Sequence, residues 1–242
     1  MNSPRASANL RASAVNTPAE PDLSRIAMEI GEPARAAMLS ALMGGVPLAA
    51  GELARRAGVS ASTASGHLAR MVEAGLVRRR TDGRRRYYAL ASADVAAALE
   101  ALARIAPPHR GAKSERAEDA AFRFARTCYD HLAGALGVRV TDTLLERGII
   151  AGRGFEVTEA GEDWLREQGI DVVALRARRR TLSRPCLDWS ERRDHLAGAV
   201  GAAVATMMLD RRWLVRIDGT RALRLTLRGR EGLYRSLGLE LY

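Results

Sequence analysis

Apolar residues recur at helical spacing from Pro33 to Met43, where Ala36, Ala37, Leu39, Ala41, Leu42 and Met43 make a wide face behind a first-turn proline. Gly44-Gly45 stops that helix. A second helix is predicted over Ala50–Ala57, with Leu53, Ala54 and Ala57 on one side. Gly58-Val59-Ser60 reads as a tight turn, and Ser60 as the N-cap of a third helix through Ala74. In that helix Ala64, Leu68, Met71 and Val72 form the inward stripe, which leaves Ser62, Thr63, Ser65, Gly66, His67 and Arg70 outward. Helix, glycine turn and helix at this spacing predict a helix-turn-helix. Leu76–Leu90 then predicts a hairpin about Asp82-Gly83, with Tyr87 and Tyr88 at its base. That turn sets Arg79 opposite Arg86 and Arg80 opposite Arg85. Asp94–Ile105 closes this part as a helix.

Outside it the pattern changes. Residues 1–22 are rich in Ser, Ala, Asn and Pro without an apolar run, as expected of a disordered tail rather than a signal peptide. A first unit spans 23–106. Residues 107–114, opened by Pro107-Pro108, read as a linker. A second unit fills 115–242 and contains a repeat. Asp130-His131-Leu132-Ala133-Gly134-Ala135 recurs 64 residues later as Asp194-His195-Leu196-Ala197-Gly198-Ala199. Phe155–Gly161 is echoed by Leu223–Gly229. Each copy reads as helix, helix, short hairpin, helix, the last two resembling a wing and closing helix. Two copies imply one pseudo-symmetric domain. The fold class expected is therefore mainly α with small β wings (α+β): a winged helix-turn-helix followed by two winged-helix-like repeats.

Charge narrows the partner. Among 242 residues, 38 are Lys or Arg and 28 are Asp or Glu, a formal net charge of +10, which suits a polyanion. No apolar run is long enough to span a bilayer. Six arginines, Arg78, Arg79, Arg80, Arg84, Arg85 and Arg86, crowd the hairpin directly after the third helix. Opposed like charges destabilise a hairpin unless an outside counter-charge meets them, and DNA phosphate fits. The expected DNA-contacting residues are Ser60, Ser62, Thr63, Ser65, His67, Arg70, Arg79, Arg84, Arg85 and Arg86. Small hydroxyl side chains let the helix sit deep in a major groove.

Leu53–Ser60, Ser62–Leu68, Glu73-Ala74-Gly75-Leu76-Val77 and Asp82–Tyr88 together resemble the winged-helix core of the ArsR/SmtB repressors, over about a third of the chain. The resemblance implies a homodimer held by the helices flanking the reader, at Leu23–Met43 and Asp94–Ile105. Metal sites of that family do not carry over. Gly51-Glu52-Leu53-Ala54 holds no cysteine, and the last helix of the first unit has no histidine. Gly66 also stands where the family often has a basic residue or histidine.

The chain has two cysteines, too few for a disulfide framework, so a reducing cytoplasm is the expected compartment. Cys128 and His131, three apart, are expected on one face of a helix, and Cys186 and His195 to precede or begin the matching helix. Two thiols and two imidazoles suit zinc or another soft metal, but their spacing matches no tight knuckle. Ordinary packing of buried thiols is the weightier reading, since cysteine is usually buried. A Cys128–Cys186 redox switch is the third. Trp189 is a candidate to line a pocket. No nucleophile elbow, phosphate loop or dinucleotide fingerprint points to an enzyme. The expected function is a sequence-specific transcription regulator, a repressor released by a metal, redox or small-molecule effector. A non-specific architectural DNA-binding protein is the alternative.

Overall fold

A computed structural model describes residues 20–83, 85–107 and 116–241. In the first unit, α1 (Leu23–Ile30) and α2 (Pro33–Leu42) are capped by the side chains of Asp22 and Glu32. β1 (Leu48–Ala49) leads into α3 (Ala50–Ala57), which ends at Gly58 in the left-handed region (φ 66°). Glycine takes that conformation without steric cost, and the chain turns into α4 (Ala61–Glu73). The Ser60 side chain accepts from the Thr63 backbone N–H, as an N-cap should. Hairpin β2 (Val77–Asp82) and β3 (Arg85–Leu90) follows, with β1 pairing to β3, and then α5 (Ala93–Ile105). Met38, Leu39, Leu42, Leu53, Leu68, Met71 and Leu90 fill the core of this unit.

Two details differ from the sequence expectation. Val72 is exposed, so the inward stripe of α4 is Ala64, Leu68 and Met71. The hairpin pairs Asp82 with Arg85, with Gly83 at φ 58°, so its turn is not centred on Asp82-Gly83. Arg79 therefore faces Tyr88, Arg80 faces Tyr87, and Asp82 faces Arg85. This register pairs the buried Val77 with the buried Leu90 and removes the opposed arginines, so packing and charge favour it together. Arg84 lies outside the described residues, as do residues 1–19 of the tail, 108–114 of the linker and 115 at the start of the second unit.

The second unit begins with α6 (Arg116–Phe124). A hairpin, β4 (Arg126–Cys128) and β5 (His131–Ala133), leads to α7 (Ala135–Glu146). A small wing, β6 (Ile150–Ala151) and β7 (Glu156–Val157), is closed by α8 (Glu159–Glu167), and α9 (Val172–Arg176) links to the second copy. There β8 (Arg184–Leu187), β9 (Asp194–Ala197), α10 (Gly198–Asp210), β10 (Leu214–Arg216), β11 (Leu223–Leu225) and α11 (Leu227–Leu237) repeat the order. Each copy is thus hairpin, helix, hairpin, helix, and the first expected helix of each is a hairpin. The strands are short, and those of the first copy are buried on both faces; such runs carry no period that separates strand from helix. Thr158 and Thr226 cap α8 and α11 alike, accepting from the N–H of Gly161 and Gly229 at 3.0 and 2.9 Å.

The copies pack reciprocally, α7 on β9 and α10 on β5, and β5 lies against β9. One apolar core draws Leu132, Leu136, Val140 and Leu144 from the first copy and Leu196, Val200, Val204 and Met208 from the second. No helix among the described residues is long and apolar enough to cross a membrane.

The two units share a second core. Cys128, Ala133, Cys186 and Ala197 join the cluster that holds Met38, Met43, Leu68 and Ala96. Tyr129 donates its N–H to the Met43 carbonyl at 2.7 Å. A Cβ at Gly45 (φ 72°) would lie 1.9 Å from the Tyr129 carbonyl oxygen, so glycine is needed for that approach. Arg221 reaches Glu100 of α5 at 3.5 Å.

Candidate nucleic-acid interface and a buried thiol–imidazole cluster

Helix α4 presents two faces of different character. Ala64, Leu68 and Met71 fix it to the core. On the far side Ser62, Thr63, Ser65 and Gly66 are exposed, and nothing stands within 4 Å of where a Gly66 Cβ would be. The hydroxyls of Ser62 and Thr63 each lie 2.9 Å from the Ser60 hydroxyl, which gathers three polar side chains at the helix start. The wing beside them exposes Arg78, Arg79, Arg80, Arg85 and Arg86, while Tyr88 is buried and Tyr87 half-buried at its base. Arg78 had no place among the expected contacts.

His67 and Arg70 are engaged within the protein. Arg70 donates to Glu29 at 2.6 Å, and Glu29 also meets the buried Arg35 at 3.1 Å. Arg35 in turn donates to the Met28 and Glu29 carbonyls at 2.8 and 2.7 Å. His67 sits with Nδ1 3.3 Å from the Arg35 guanidinium and Nε2 3.7 Å from Glu32. These contacts tie the middle of α4 to α1 and α2, and they set the angle at which its exposed face is offered.

In the second unit the structure brings together Cys128, His131, Cys186 and His195. All four are buried, and their ligand atoms lie within 4.8 Å of one another. The hairpins account for this. Cys128 pairs with His131 across β4–β5, and Cys186 with His195 across β8–β9. That pairing corrects the expected helical placement of Cys128 and His131, while Cys186 and His195 precede α10. The thiols stand 3.9 Å apart and the imidazole centroids 5.1 Å.

Carboxylates back both imidazoles. Asp130 faces His131 Nδ1 at 3.3 Å and accepts from both guanidinium nitrogens of Arg180. Burial alone would raise the Asp130 pKa, but the hydrogen bonds from His131 and Arg180 outweigh it and hold the group at about 2. Asp188, fully buried, lies 3.4 Å from His195 Nδ1 and accepts from Arg126, the Gly134 N–H, and Ser190. Burial disfavours the His195 cation, yet Asp188 and Cys186 raise its pKa to about 9. Of the two thiols, Cys186 is the easier to ionise. A hydrogen bond from the Cys128 thiol lowers it, and the same bond with burial raises Cys128. Trp189 packs its ring 4.7 Å from the Arg126 guanidinium, and so covers the Arg126–Asp188 ion pair.

Comparison with known proteins bears on the reader first. The helix-turn-helix domain family matches residues 30–80. The uncharacterized HTH-type transcriptional regulator YdfF of Bacillus subtilis (strain 168) is 40% identical over 224 residues, covering 91% of this chain and 99% of YdfF. The chain belongs to the helix-turn-helix transcriptional regulators. Its similarity to YdfF runs through both units, and membership makes it a DNA-binding regulator and not an enzyme. Among solved structures, NolR from Sinorhizobium fredii is 32% identical over 34% of this chain and 81% of its own (TM-score 0.32). The homodimeric winged helix-turn-helix domain of Mb0332 from Mycobacterium bovis, named a possible ArsR-family regulator, is 30% identical over 34% of this chain and 74% of its own (TM-score 0.31). The cadmium sensor CMTR from Mycobacterium tuberculosis is 38% identical over 33% and 82% (TM-score 0.29).

Proposed function

We propose that this regulator is a homodimeric repressor that reads an inverted-repeat operator with two copies of α4, gripped by two wings, and is released by an effector acting on the duplicated unit. The observation that carries the reading is an exposed hydroxyl-bearing helix face followed directly along the chain by a hairpin with five exposed arginines. Hydroxyls and Gly66 supply close access to base edges, and the arginines supply phosphate affinity. Replacing Arg85 and Arg86 with alanine should weaken binding to every sequence and reduce the log–log salt slope by about 1.8, some 0.9 per lost phosphate contact. Replacing Ser62 and Ser65 with alanine should narrow the gap between operator and random duplex at an unchanged slope. Fluorescence anisotropy over a salt series reads both, and an arginine variant with the parental slope would take the wing off the phosphates.

Dimerisation fits the apolar residues left uncovered on α1 and α5. Leu23, Met28, Leu102 and Ile105 are all exposed. One recognition helix covers too few base pairs for genomic selectivity, and two-fold symmetry places the second about 34 Å away.

A further inference from the structure

We propose that Cys128, His131, Cys186 and His195 are the four ligands of a single soft divalent cation of the zinc class, held between the two repeats directly beneath α5. Two thiolates and two neutral imidazoles form a closed tetrahedral donor set for such an ion. In a zinc tetrahedron ligand atoms stand about 3.3–3.8 Å from one another. The thiols, 3.9 Å apart, are already near that spacing, and no pair in the set needs to close by more than about 1.5 Å.

Hydrogen bonding points the same way. His131 Nε2 and His195 Nε2 are buried without a hydrogen-bond partner, and His195 Nδ1 is met only by Asp188 at 3.4 Å. Buried polar atoms are seldom left so, and a cation at the centre of the cluster would engage one nitrogen on each ring. Each ring also has a carboxylate at Nδ1, Asp130 for His131 and Asp188 for His195, which is the usual support of a metal-bound imidazole. A Cys128–Cys186 disulfide would use the sulfurs and leave those nitrogens unpartnered. Plain apolar packing would leave them unpartnered too.

The site's position gives it reach. Ala93, Ala96, Ala97 and Glu100 of α5 line the space beside Cys128, His131 and Cys186. Both cysteines belong to the apolar core shared with the reader. An ion that draws the two hairpins together therefore acts on the surface against which α5 is seated.

The test uses the full chain, stripped with a chelator under reducing conditions and titrated with Co²⁺ and then Zn²⁺. One Co²⁺ per chain should bind, with the strong visible absorption of a tetrahedral ion and thiolate charge transfer in the near ultraviolet. Zn²⁺ should displace it. Cys186→Ser and His131→Gln should each abolish the thiolate-tetrahedral spectrum or change its coordination, with folding checked by circular dichroism. Asp130→Asn, which leaves all four ligands in place, should weaken binding about 10–100-fold. Zn²⁺ should also protect both cysteines of the unaltered protein from alkylation, a readout that needs no variant. A chain that binds no Co²⁺ at micromolar concentration overturns the proposal. So do an octahedral spectrum without charge transfer and a reduced-buffer preparation in which Cys128 and Cys186 remain disulfide-linked. No arm involves DNA, so failure here is separate from failure of the operator reading.

Discussion

Leu68 is fully buried on α4, in the apolar cluster it shares with α2 and the wing hairpin, and it holds α4 to that scaffold. Leu68→Ala should cost about 2–5 kcal/mol, the range for a truncated core leucine, measurable by urea unfolding. Ser65→Ala, three residues earlier on the exposed face, should leave stability within about 0.5 kcal/mol and act on DNA alone. A Leu68 variant of parental stability would mean that α4 is not seated as described. The same contrast explains what single residues disclosed in the sequence. The periodicity of Ala64, Leu68 and Met71 was legible because a buried helix face must repeat. The engagement of His67 and Arg70 with Glu29, Glu32 and Arg35 was not, because it depends on where α1 and α2 cross α4.

At the scale of elements, hairpins were harder to read than helices. The wing was legible from its turn residues, but its register was set by the burial of Val77 against Leu90 and not by the strongest local turn signal. The cysteine–histidine hairpins were hidden more fully. Cys128 and Cys186 are 58 residues apart and His131 and His195 are 64, because the stretch from cysteine to histidine is six residues longer in the second hairpin. The repeat-equivalence of the histidines was therefore visible and that of the cysteines was not. Among the helices, α5 has two separate tasks. Ala96 and Glu100 face the second unit, while Leu102 and Ile105 stay exposed. Changing Leu102 and Ile105 together to aspartate should shift the protein from dimer to monomer by light scattering at micromolar concentration and leave its circular dichroism unchanged. A parental protein that is already monomeric, or a variant that stays dimeric, would place the interface elsewhere.

For the whole molecule, the shared core changes how a signal is carried. A complete reader joined by a stiff linker would behave as two beads on a rod. Instead Tyr129, Cys128 and Cys186 rest against the end of α2 and the side of α5, so a change in the repeats meets the reader through packed surface. Gly45→Ala tests that seam. A Cβ there collides with the Tyr129 carbonyl and must also accept a left-handed backbone. It should destabilise the protein by at least about 1–2 kcal/mol and raise hydrogen exchange at Met43–Gly45 and Cys128–Asp130 together. Exchange confined to one side would mean the units are not coupled there.

On the proposed function, α4 and the wing of the dimer read a specific two-fold DNA sequence. Selection of bound duplexes from a random pool by the full-length protein, at about 0.15 M salt, tests it most directly. An inverted repeat with half-sites about one helical turn apart should be enriched. This enrichment should collapse with Ser62→Ala/Ser65→Ala and persist, at lower yield, with Arg85→Ala/Arg86→Ala. A pool that stays random after repeated rounds, while duplex is still bound, would contradict it and leave a non-specific DNA-binding protein.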